Sequence, residues 1–360
     1  MAFDLIKLIT DVFDPQPGEI VTVACDLPRN PEEDSAAWRE RRAMAHQWHR
    51  AFAALGHGRG FSTTPLLGYP ATGANGAELP AQGIIEGTWV PLREKLLEST
   101  LAVFLTEYSA TAALDSLCKE KEDFRAASMP GAEKRMEQTG LAADYREVAR
   151  RCQVIERILK GANALEVTFS TGHHCTFDLR YRTPMVDDGF LPRHKKGDRV
   201  INLPSGETFI VPYEGEREGV SSRSRGTLPI RDGKGLALLK VDINRIVEIE
   251  GEGTVALELR SAFDVDAVRS NIAEVAFGCN DKAQVTGNVL EDEKAGFHWA
   301  YGRSDHLGGT VGVKQFHSPQ TVVHQDVVYA KGNPIQVADA RVVKPGGAVR
   351  VIRNGVYVVF

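Results

Sequence analysis

The pair His324 and Asp326, in the run TVVHQDVVYA, is the first feature of the sequence that could do chemistry. The valines around the pair predict a buried β-strand, in which residues i and i+2 project from the same face. Burying an aspartate without a partner is costly, so Asp326 needs a cation or strong hydrogen-bond donors. His324, on the same face, would offer a metal-ligating nitrogen beside it.

Three glutamates raise the same question elsewhere in the second half of the sequence. Glu274 lies inside the apolar run IAEVAF, and Glu207 follows a Pro–Ser–Gly turn at the entry to a predicted strand. In EDEKAGFHWAYG, Glu293 stands five positions before His298, which lies between aromatic residues. Two carboxylates in apolar surroundings, Glu274 and Asp326, call for a shared source of positive charge.

Together these residues predict a site for two divalent metal ions. Four carboxylates carry four negative charges, which match two divalent cations, and two histidines add neutral nitrogen ligands. A water molecule between two such ions becomes a nucleophile near neutral pH. The six candidate ligands are Glu207, Glu274, Glu293, His298, His324 and Asp326.

Each candidate also has a simpler interpretation. Glu207 could be a solvated turn residue, Glu274 could form an ion pair with Arg269, and Glu293 could lie on the surface. His298, among aromatic residues, could be a packed core histidine. What favours the metal site is that all six residues occur together in the sequence and in this order.

The predicted secondary structure differs between the two halves of the chain. In the first half, strands at 18–27 and 101–106 alternate with helices at 32–55 and 144–160, which predicts βαβ units and a mostly parallel sheet. The second half is richer in strands. We predict an α/β domain over residues 1–164 and a β-rich (α+β) domain over residues 165–360 that carries the metal site.

Three segments of the second half predict hairpins. Residues 165–169 and 175–179 flank a polar turn, and residues 235–259 predict strands that turn at Gly251–Gly253. The C-terminal segment AVRVIRNGVYVVF predicts two strands around Asn354–Gly355, a strong signal for a two-residue turn.

Composition excludes several classes of protein. The net charge is -5 and the pI is about 6.1, so no basic field is present that would hold a nucleic acid. No apolar stretch is long enough to predict a membrane span, and five scattered cysteines predict no disulfide framework. We therefore expect a cytoplasmic protein. No GxGxxG, GxxxxGK[ST] or GxSxG motif occurs, so nothing predicts a nucleotide cofactor or a serine nucleophile.

Three stretches resemble a known family: LPSGETFIVPYEGEREG, AEVAFGCNDKAQVTGNVLEDEKAGFHWAYG and the downstream HQD. They are similar to the M29 metallopeptidases, thermophilic aminopeptidases of the aminopeptidase T type. PGEIVTVACD, RAASMPG and the segment from DYREVARR to VTFSTG resemble the same family more loosely. The resemblance implies a pair of divalent metals held by the six residues named above, and it implies a homodimer.

One position departs from the family pattern. Seven residues beyond the metal-binding histidine the family has a tyrosine, and this chain has Asp305, followed by His306. Iron-dependent dioxygenases that open dihydroxypyridine rings resemble the chain in fold and in HxD. They have histidine at the position of Glu274 and lack the first and third glutamates, whereas this sequence retains all three.

The resulting hypothesis is a two-metal hydrolase, most simply an aminopeptidase acting on a peptide or another small molecule. Glu207 would serve as ligand and proton shuttle, and Asp305 and His306 would contact substrate in place of the tyrosine. Zinc, cobalt or manganese suits such ligands, and iron is also compatible. The alternatives are a mononuclear iron(II) ring-cleaving dioxygenase and a non-catalytic binding module whose carboxylates pair with arginines.

Overall fold

The computed structural model describes residues 3–75, 77–233 and 235–360. The chain forms two compact units, each built from three segments of the sequence. Unit 1 comprises Met1–Ala149, Asp187–Gly206 and Asn280–Glu291, and unit 2 comprises Arg150–Val186, Glu207–Cys279 and Asp292–Phe360. These units interleave along the chain. The single boundary between residues 164 and 165 stays a prediction.

The helices among the described residues are α1 (Leu5–Phe13), α2 (Ala36–Arg59), α3 (Leu92–Leu97), α4 (Thr111–Glu120), α5 (Tyr145–Leu159), α6 (Thr254–Val265) and α7 (Val289–Asp292). None of these helices combines the length and the apolar character needed to span a membrane.

The strands before residue 180 are β1 (Ile20–Leu27), β2 (Ser62–Thr63), β3 (Leu67–Pro70), β4 (Gln82–Ile85), β5 (Thr88–Pro91), β6 (Leu101–Thr106), β7 (Arg125–Pro130), β8 (Ala164–Phe169) and β9 (His174–Asp178). Those that follow are β10 (Met185–Asp187), β11 (Val200–Asn202), β12 (Glu207–Ile210), β13 (Arg225–Asp232), β14 (Gly235–Asp242), β15 (Arg245–Glu250), β16 (Ile272–Gly278), β17 (Phe297–Gly302), β18 (His324–Tyr329), β19 (Val337–Lys344), β20 (Gly347–Arg353) and β21 (Val356–Tyr357).

Unit 1 contains an eight-stranded sheet in the order β11-β7-β6-β1-β3-β4-β5, with β2 paired to β1. The pairs around β1 are parallel, and β4 and β5 add an antiparallel edge. Val21 and Val23 join one apolar core with α1 and α2, whereas Ala24 joins a second core with α3 and α4. The predicted α/β class with a mostly parallel sheet is therefore confirmed for this part of the chain.

The predicted helices form with small shifts at their ends. The helix predicted at 32–55 begins at Ala36, because the hydroxyl of Ser35 accepts a hydrogen bond from the amide of Trp38. The helix predicted at 144–160 is α5. Its apolar residues at spacings of four, three and four are all buried: Val148, Cys152, Ile155 and Leu159.

Unit 2 contains an antiparallel sheet in the order β15-β14-β13-β9-β8-β19-β20-β21. The predicted hairpin β8–β9 is present, with Leu165 opposite Phe177. The C-terminal hairpin is also present, and Asn354 and Gly355 both take the left-handed conformation that such a turn requires. These β-rich elements confirm the class predicted for the second half.

The prediction for residues 235–259 is wrong in its turn and in its last element. The chain turns at Ile243 and Asn244, both with positive φ, so β14 and β15 form the hairpin. The segment after Gly253 is helix α6 instead of a strand. The carboxylate of Asp232 accepts hydrogen bonds from the amides of Val255 and Ala256, and this contact caps the first turn of the helix.

The third sheet has five strands in the order β10-β12-β16-β17-β18. Strand β16 is fully buried, as predicted from its apolar neighbours, and β17 is buried along its length. Strand β18 lies at the edge of the sheet and its valines are half-buried, so the prediction of a fully buried strand is wrong. The side chain of Asp326 is nevertheless only 8% exposed.

Candidate metal centre

Strands β16, β17 and β18 set Glu274, Ala300 and Asp326 side by side. Ala300 is opposite Glu274 on one side and opposite Asp326 on the other. Residues directly opposite each other project from the same face of a sheet. Because the side chain between them is a single methyl group, the two carboxylates can approach over it.

The two histidines join the same face through the two-residue period of a strand. His298 lies two positions from Ala300, and His324 lies two positions from Asp326. The aromatic residues that alternate with His298 point to the opposite face, where Phe297 packs against Phe277 and Trp299 donates a hydrogen bond to Tyr329. In the run FHWAYG, the aromatic residues thus form an apolar face of the strand, and His298 and Ala300 lie on the opposite face with the candidate ligands.

Glu207 enters from β12, where it is opposite Gly278 of β16. A Cβ at Gly278 would lie 2.5 Å from the carbonyl oxygen of Glu293, so glycine lets the turn Glu293–Ala295 lie directly on the sheet. The side chain of Glu207 is buried, which removes its interpretation as a solvated turn residue. Glycine and alanine positions therefore make the room that the charged side chains occupy.

The side chains form two groups of three possible ligands, and Glu274 belongs to both. Glu207, Glu274 and His298 form the first, and Glu274, His324 and Asp326 form the second; within each group the donor atoms all lie within 4.8 Å of one another. His324 Nε2 is 3.0 Å from Glu274 Oε2, and His298 Nε2 is 3.3 Å from Glu207 Oε2. Five of the six predicted ligands are thus brought together.

The hydrogen bonds of both histidines fix the ring orientation that a metal needs. His298 Nδ1 lies 3.2 Å from the carbonyl oxygen of Gly296, and His324 Nδ1 lies 2.8 Å from that of Arg303. If Nδ1–H donates to these carbonyls, each Nε2 can bind a metal ion through its lone pair or, when protonated, donate to a carboxylate oxygen. A histidine whose other nitrogen binds a backbone carbonyl is the usual arrangement at metal sites.

Two buried atoms support a cation most directly. His298 Nε2 and Glu207 Oε2 have no hydrogen-bond partner, although they face each other at 3.3 Å. Two lone pairs at this distance repel each other unless a proton or a metal ion lies between them. Burial lowers the pKa of His298, but Glu207 and Glu274 outweigh burial and raise it, which puts a proton there in the metal-free protein. The same donor set fits a divalent cation.

Lys294 is a member of the site to which the sequence analysis assigned no role. Its side chain is 0% exposed, and Nζ lies 2.6 Å from Glu207 Oε1 and also contacts Glu293 Oε1. Glu293, the sixth predicted ligand, is held on this ammonium group and belongs to neither group of three. The only feature of the sequence that indicates a role for Lys294 is its position directly after the candidate ligand Glu293.

The charges of the site shift the pKa values of its carboxylates in opposite directions. Burial raises the pKa of Glu207, but Lys294 and His298 outweigh burial and lower it. Burial, together with the negative charges of Glu207 and Asp326, raises the pKa of Glu293 to about 8 despite Lys294. Burial also raises the pKa of Asp326. For His298, Glu207 and Glu274 outweigh the effect of burial and raise the pKa well above its usual value. Protons on the histidines and on Glu293 therefore balance the carboxylates in the metal-free site, and divalent cations bound there would displace those protons.

This electrostatic arrangement predicts that stability of the metal-free protein depends on pH. Burial lowers the pKa of His324, but the hydrogen bond to Glu274 and the charge of Asp326 outweigh burial and raise it from 6.5 to about 9. The protonated ring thus stabilises the fold below pH 6.5, by about 3 kcal/mol, and this contribution is lost as pH rises through about 9.

Thermal unfolding of chelator-treated protein between pH 6 and 10 checks this prediction. Metal-loaded protein should show a smaller decrease, because a metal-bound histidine is neutral throughout. An unchanged pH dependence in His324→Asn would contradict the assignment, and the exposed His174→Gln serves as the control.

Asp305 and His306 lie in a turn beside the site but have different surroundings. The carboxylate of Asp305 accepts a hydrogen bond from Arg303 Nε at 2.5 Å. The ring of His306 meets the ring of His324 edge-on, with 5.1 Å between the centroids. Burial and the neighbouring His324 lower the pKa of His306, so the ring is neutral near pH 7. Of the two residues, His306 is the one whose side chain contacts a candidate ligand.

Arg269 does not act as the partner of Glu274. Its Nε donates to the carbonyl oxygen of Thr321 at 2.7 Å, and NH1 donates to that of Ala262. Glu274 instead accepts a hydrogen bond from His324. The predicted ion pair between Glu274 and Arg269 is therefore wrong.

Comparison with known proteins identifies the fold. The structure is similar to that of a 2,5-dihydroxypyridine dioxygenase from Pseudomonas putida KT2440, with a TM-score of 0.64 and 18% identity over 98% of this chain and 96% of that chain. It is also similar to wild-type AmpT from Thermus thermophilus, with a TM-score of 0.58 and 16% identity over 98% of both chains. No family model and no curated protein sequence matches the chain. The resemblance indicated by the sequence motifs is thus confirmed for the fold.

Proposed function

We propose that the chain is a metal-dependent hydrolase of the aminopeptidase type that binds two divalent ions. The observation that carries the proposal is the pair of ligand groups that share Glu274. One carboxylate placed between two histidine-containing groups is the arrangement expected when a carboxylate bridges two ions. The similarity in fold to AmpT, an M29 aminopeptidase T, supports this choice.

In this proposal each residue of the site has a separate task. Glu207 and His298 would hold one ion, His324 and Asp326 would hold the other, and Glu274 would contribute to both sites. Ions bound there would polarise a peptide carbonyl and lower the pKa of a water molecule. Glu207 is kept as the proposed ligand and proton carrier, and Lys294 Nζ, 2.6 Å from its Oε1, would hold the carboxylate in its ionised, proton-accepting form.

His306 would contact the substrate at the edge of the site. It replaces the tyrosine of the family pattern better than Asp305 does, because the carboxylate of Asp305 is paired with Arg303. A neutral imidazole beside His324 can donate one hydrogen bond to a substrate carbonyl oxygen or accept one from an amine. Asp305 would then stabilise the turn through its ion pair with Arg303.

Metal content and a peptide screen test this function together. We expect about two divalent ions per chain, by elemental analysis of protein purified without chelator. We further expect release of the N-terminal residue from short peptides with a free amine and none from their N-acetylated forms. Loss of the bound metal and of the peptidase activity after chelation, and recovery with zinc, cobalt or manganese, would complete the result. Protein without any metal would overturn the proposal.

A mononuclear iron dioxygenase is the second candidate, and one observation favours it. Glu274, His324 and Asp326 form a group of three possible ligands for a single ion without Glu207 or His298. The fold similarity to the 2,5-dihydroxypyridine dioxygenase points in the same direction. The group has one histidine and two carboxylates, whereas the usual non-haem iron triad has two histidines and one carboxylate. One iron per chain, with oxygen consumption in the presence of a dihydroxypyridine, would select this candidate. A chelator that removes no metal and leaves the melting temperature unchanged would favour a non-catalytic binding module instead.

The homodimer and the cytoplasmic location are proposals that rest on the sequence alone. The homodimer follows from the family resemblance, and light scattering of the purified protein tests it. The proposed substrate is a peptide or another small molecule, with no role for nucleic acid or membrane.

A further inference from the structure

Glu214 is a buried carboxylate of unit 2 that the proposed chemistry does not use. It follows strand β12 in the motif VPYEGEREG, and its side chain is 4% exposed. Among the described residues, each polar group that contacts this carboxylate donates a hydrogen bond to it. Its donors are Asn271 Nδ2 at 2.9 Å, Ser304 Oγ at 2.5 Å, the amide and the hydroxyl of Thr310 at 2.7 and 2.8 Å, and Arg182 NH2 at 3.2 Å.

These contacts close one loop, residues 303–311, which we call the His306 loop. Ser304 lies near the start of the loop and Thr310 near its end, so one carboxylate ties the two ends together. The amides of Ser304 and Asp305 both donate to the carbonyl oxygen of Val311. A Cβ at Gly309 would lie 2.2 Å from the hydroxyl of Ser304, so only glycine allows this close approach.

The His306 loop supplies two groups to the metal centre. The carbonyl oxygen of Arg303 accepts the hydrogen bond of His324 Nδ1 at 2.8 Å, which directs Nε2 towards Glu274. The same loop places the ring of His306 against His324. The orientation of one candidate ligand and the place of one candidate substrate contact thus depend on the conformation of a single loop.

We propose that Glu214 is a positioning residue for the metal centre, because it holds the His306 loop in the conformation that orients His324. This inference rests on the proposed function. It predicts a larger effect on the ion that His324 and Asp326 would hold than on the ion that Glu207 and His298 would hold. Among the described residues, the loop contacts His324 through a hydrogen bond but reaches the other group only through Glu274.

Glu214→Gln is the variant that tests the proposal. The hydroxyls of Ser304 and Thr310 can also accept, but Asn271 Nδ2, Arg182 and the amide of Thr310 can only donate. An amide nitrogen in place of either oxygen therefore faces at least one such donor and weakens the link between the two ends of the loop. Chelator-treated full-length protein is titrated with Co²⁺ by calorimetry, and His324 is followed by its Nδ1–H signal in ¹⁵N NMR. We expect one of the two Co²⁺ sites to weaken about 10–100-fold, as is usual for loss of groups that orient a ligand. We also expect the Nδ1–H signal to shift or broaden.

Glu216→Gln is the matched control, since Glu216 pairs with the same Arg182 at 2.6 Å and, within the described part of the chain, forms no hydrogen bond with the loop. Thr310→Val removes one hydroxyl from the cluster and should weaken the same site to a smaller degree. Equal Co²⁺ affinities in wild type and Glu214→Gln, with an unchanged His324 signal, would overturn the inference. A wild type that binds no Co²⁺ would overturn the proposed function instead, and the NMR signal would still decide the role of Glu214.

Discussion

Replacing Glu274 with glutamine should remove both metal ions and abolish activity. Glu274 is the one residue shared by the two groups of ligands, and it lies 3.0 Å from His324 Nε2 and 3.8 Å from His298 Nε2. Each metal contributes several kcal/mol of transition-state stabilisation, so we expect a loss of about a thousandfold or more in kcat/KM. Elemental analysis should find less than about half an ion per chain.

Variants of neighbouring glutamates separate this result from a general loss of structure. Glu207→Gln should lose one ion and retain the other, because the second group of ligands does not include Glu207. Glu248→Gln, on the exposed side of β15, should behave as wild type. If Glu274→Gln kept one ion, Glu274 would not be a bridging ligand, and the two-metal arrangement would have to be abandoned.

The strand-borne ligands could be predicted because a strand has a fixed period. The spacing of His324 and Asp326 is two, so a common face followed from the sequence once the strand was recognised. The alternation in FHWAYG likewise separates His298 from the aromatic residues. The sequence did not show that Ala300 would stand between Glu274 and Asp326, because the register of three strands depends on pairing over long distances.

Lys294 and Glu214 were missed for a related reason. Lys294 meets Glu207 across 87 positions, and Glu214 meets Ser304 across 90. Each residue stands in a charged run, EDEK or EGERE, of the kind that usually lies on the surface. Helix α6 was mistaken for a strand because its cap, Asp232, lies more than 20 positions upstream. Local patterns record strands and helices well but do not record which distant side chain a buried charge will meet.

Replacing Lys294 with methionine should strongly destabilise the metal-free protein. The ammonium group is fully buried between Glu207 and Glu293, and its loss leaves two buried carboxylates without this cation. Removing one partner of a buried ion pair costs about 3–5 kcal/mol. Urea unfolding of chelator-treated protein measures the change, and Lys314→Met, at an exposed position, is the control.

The same variant separates the charge of Lys294 from its packing. Divalent ions would supply positive charge to the same carboxylates, so metal should restore most of the lost stability. The shift in melting temperature on adding metal should therefore be larger in Lys294→Met than in wild type. Equal losses of stability with and without metal would mean that Lys294 acts by filling space. In that case Glu207 and Glu293 would not need a compensating cation, and their burial would no longer argue for a metal ion beside them.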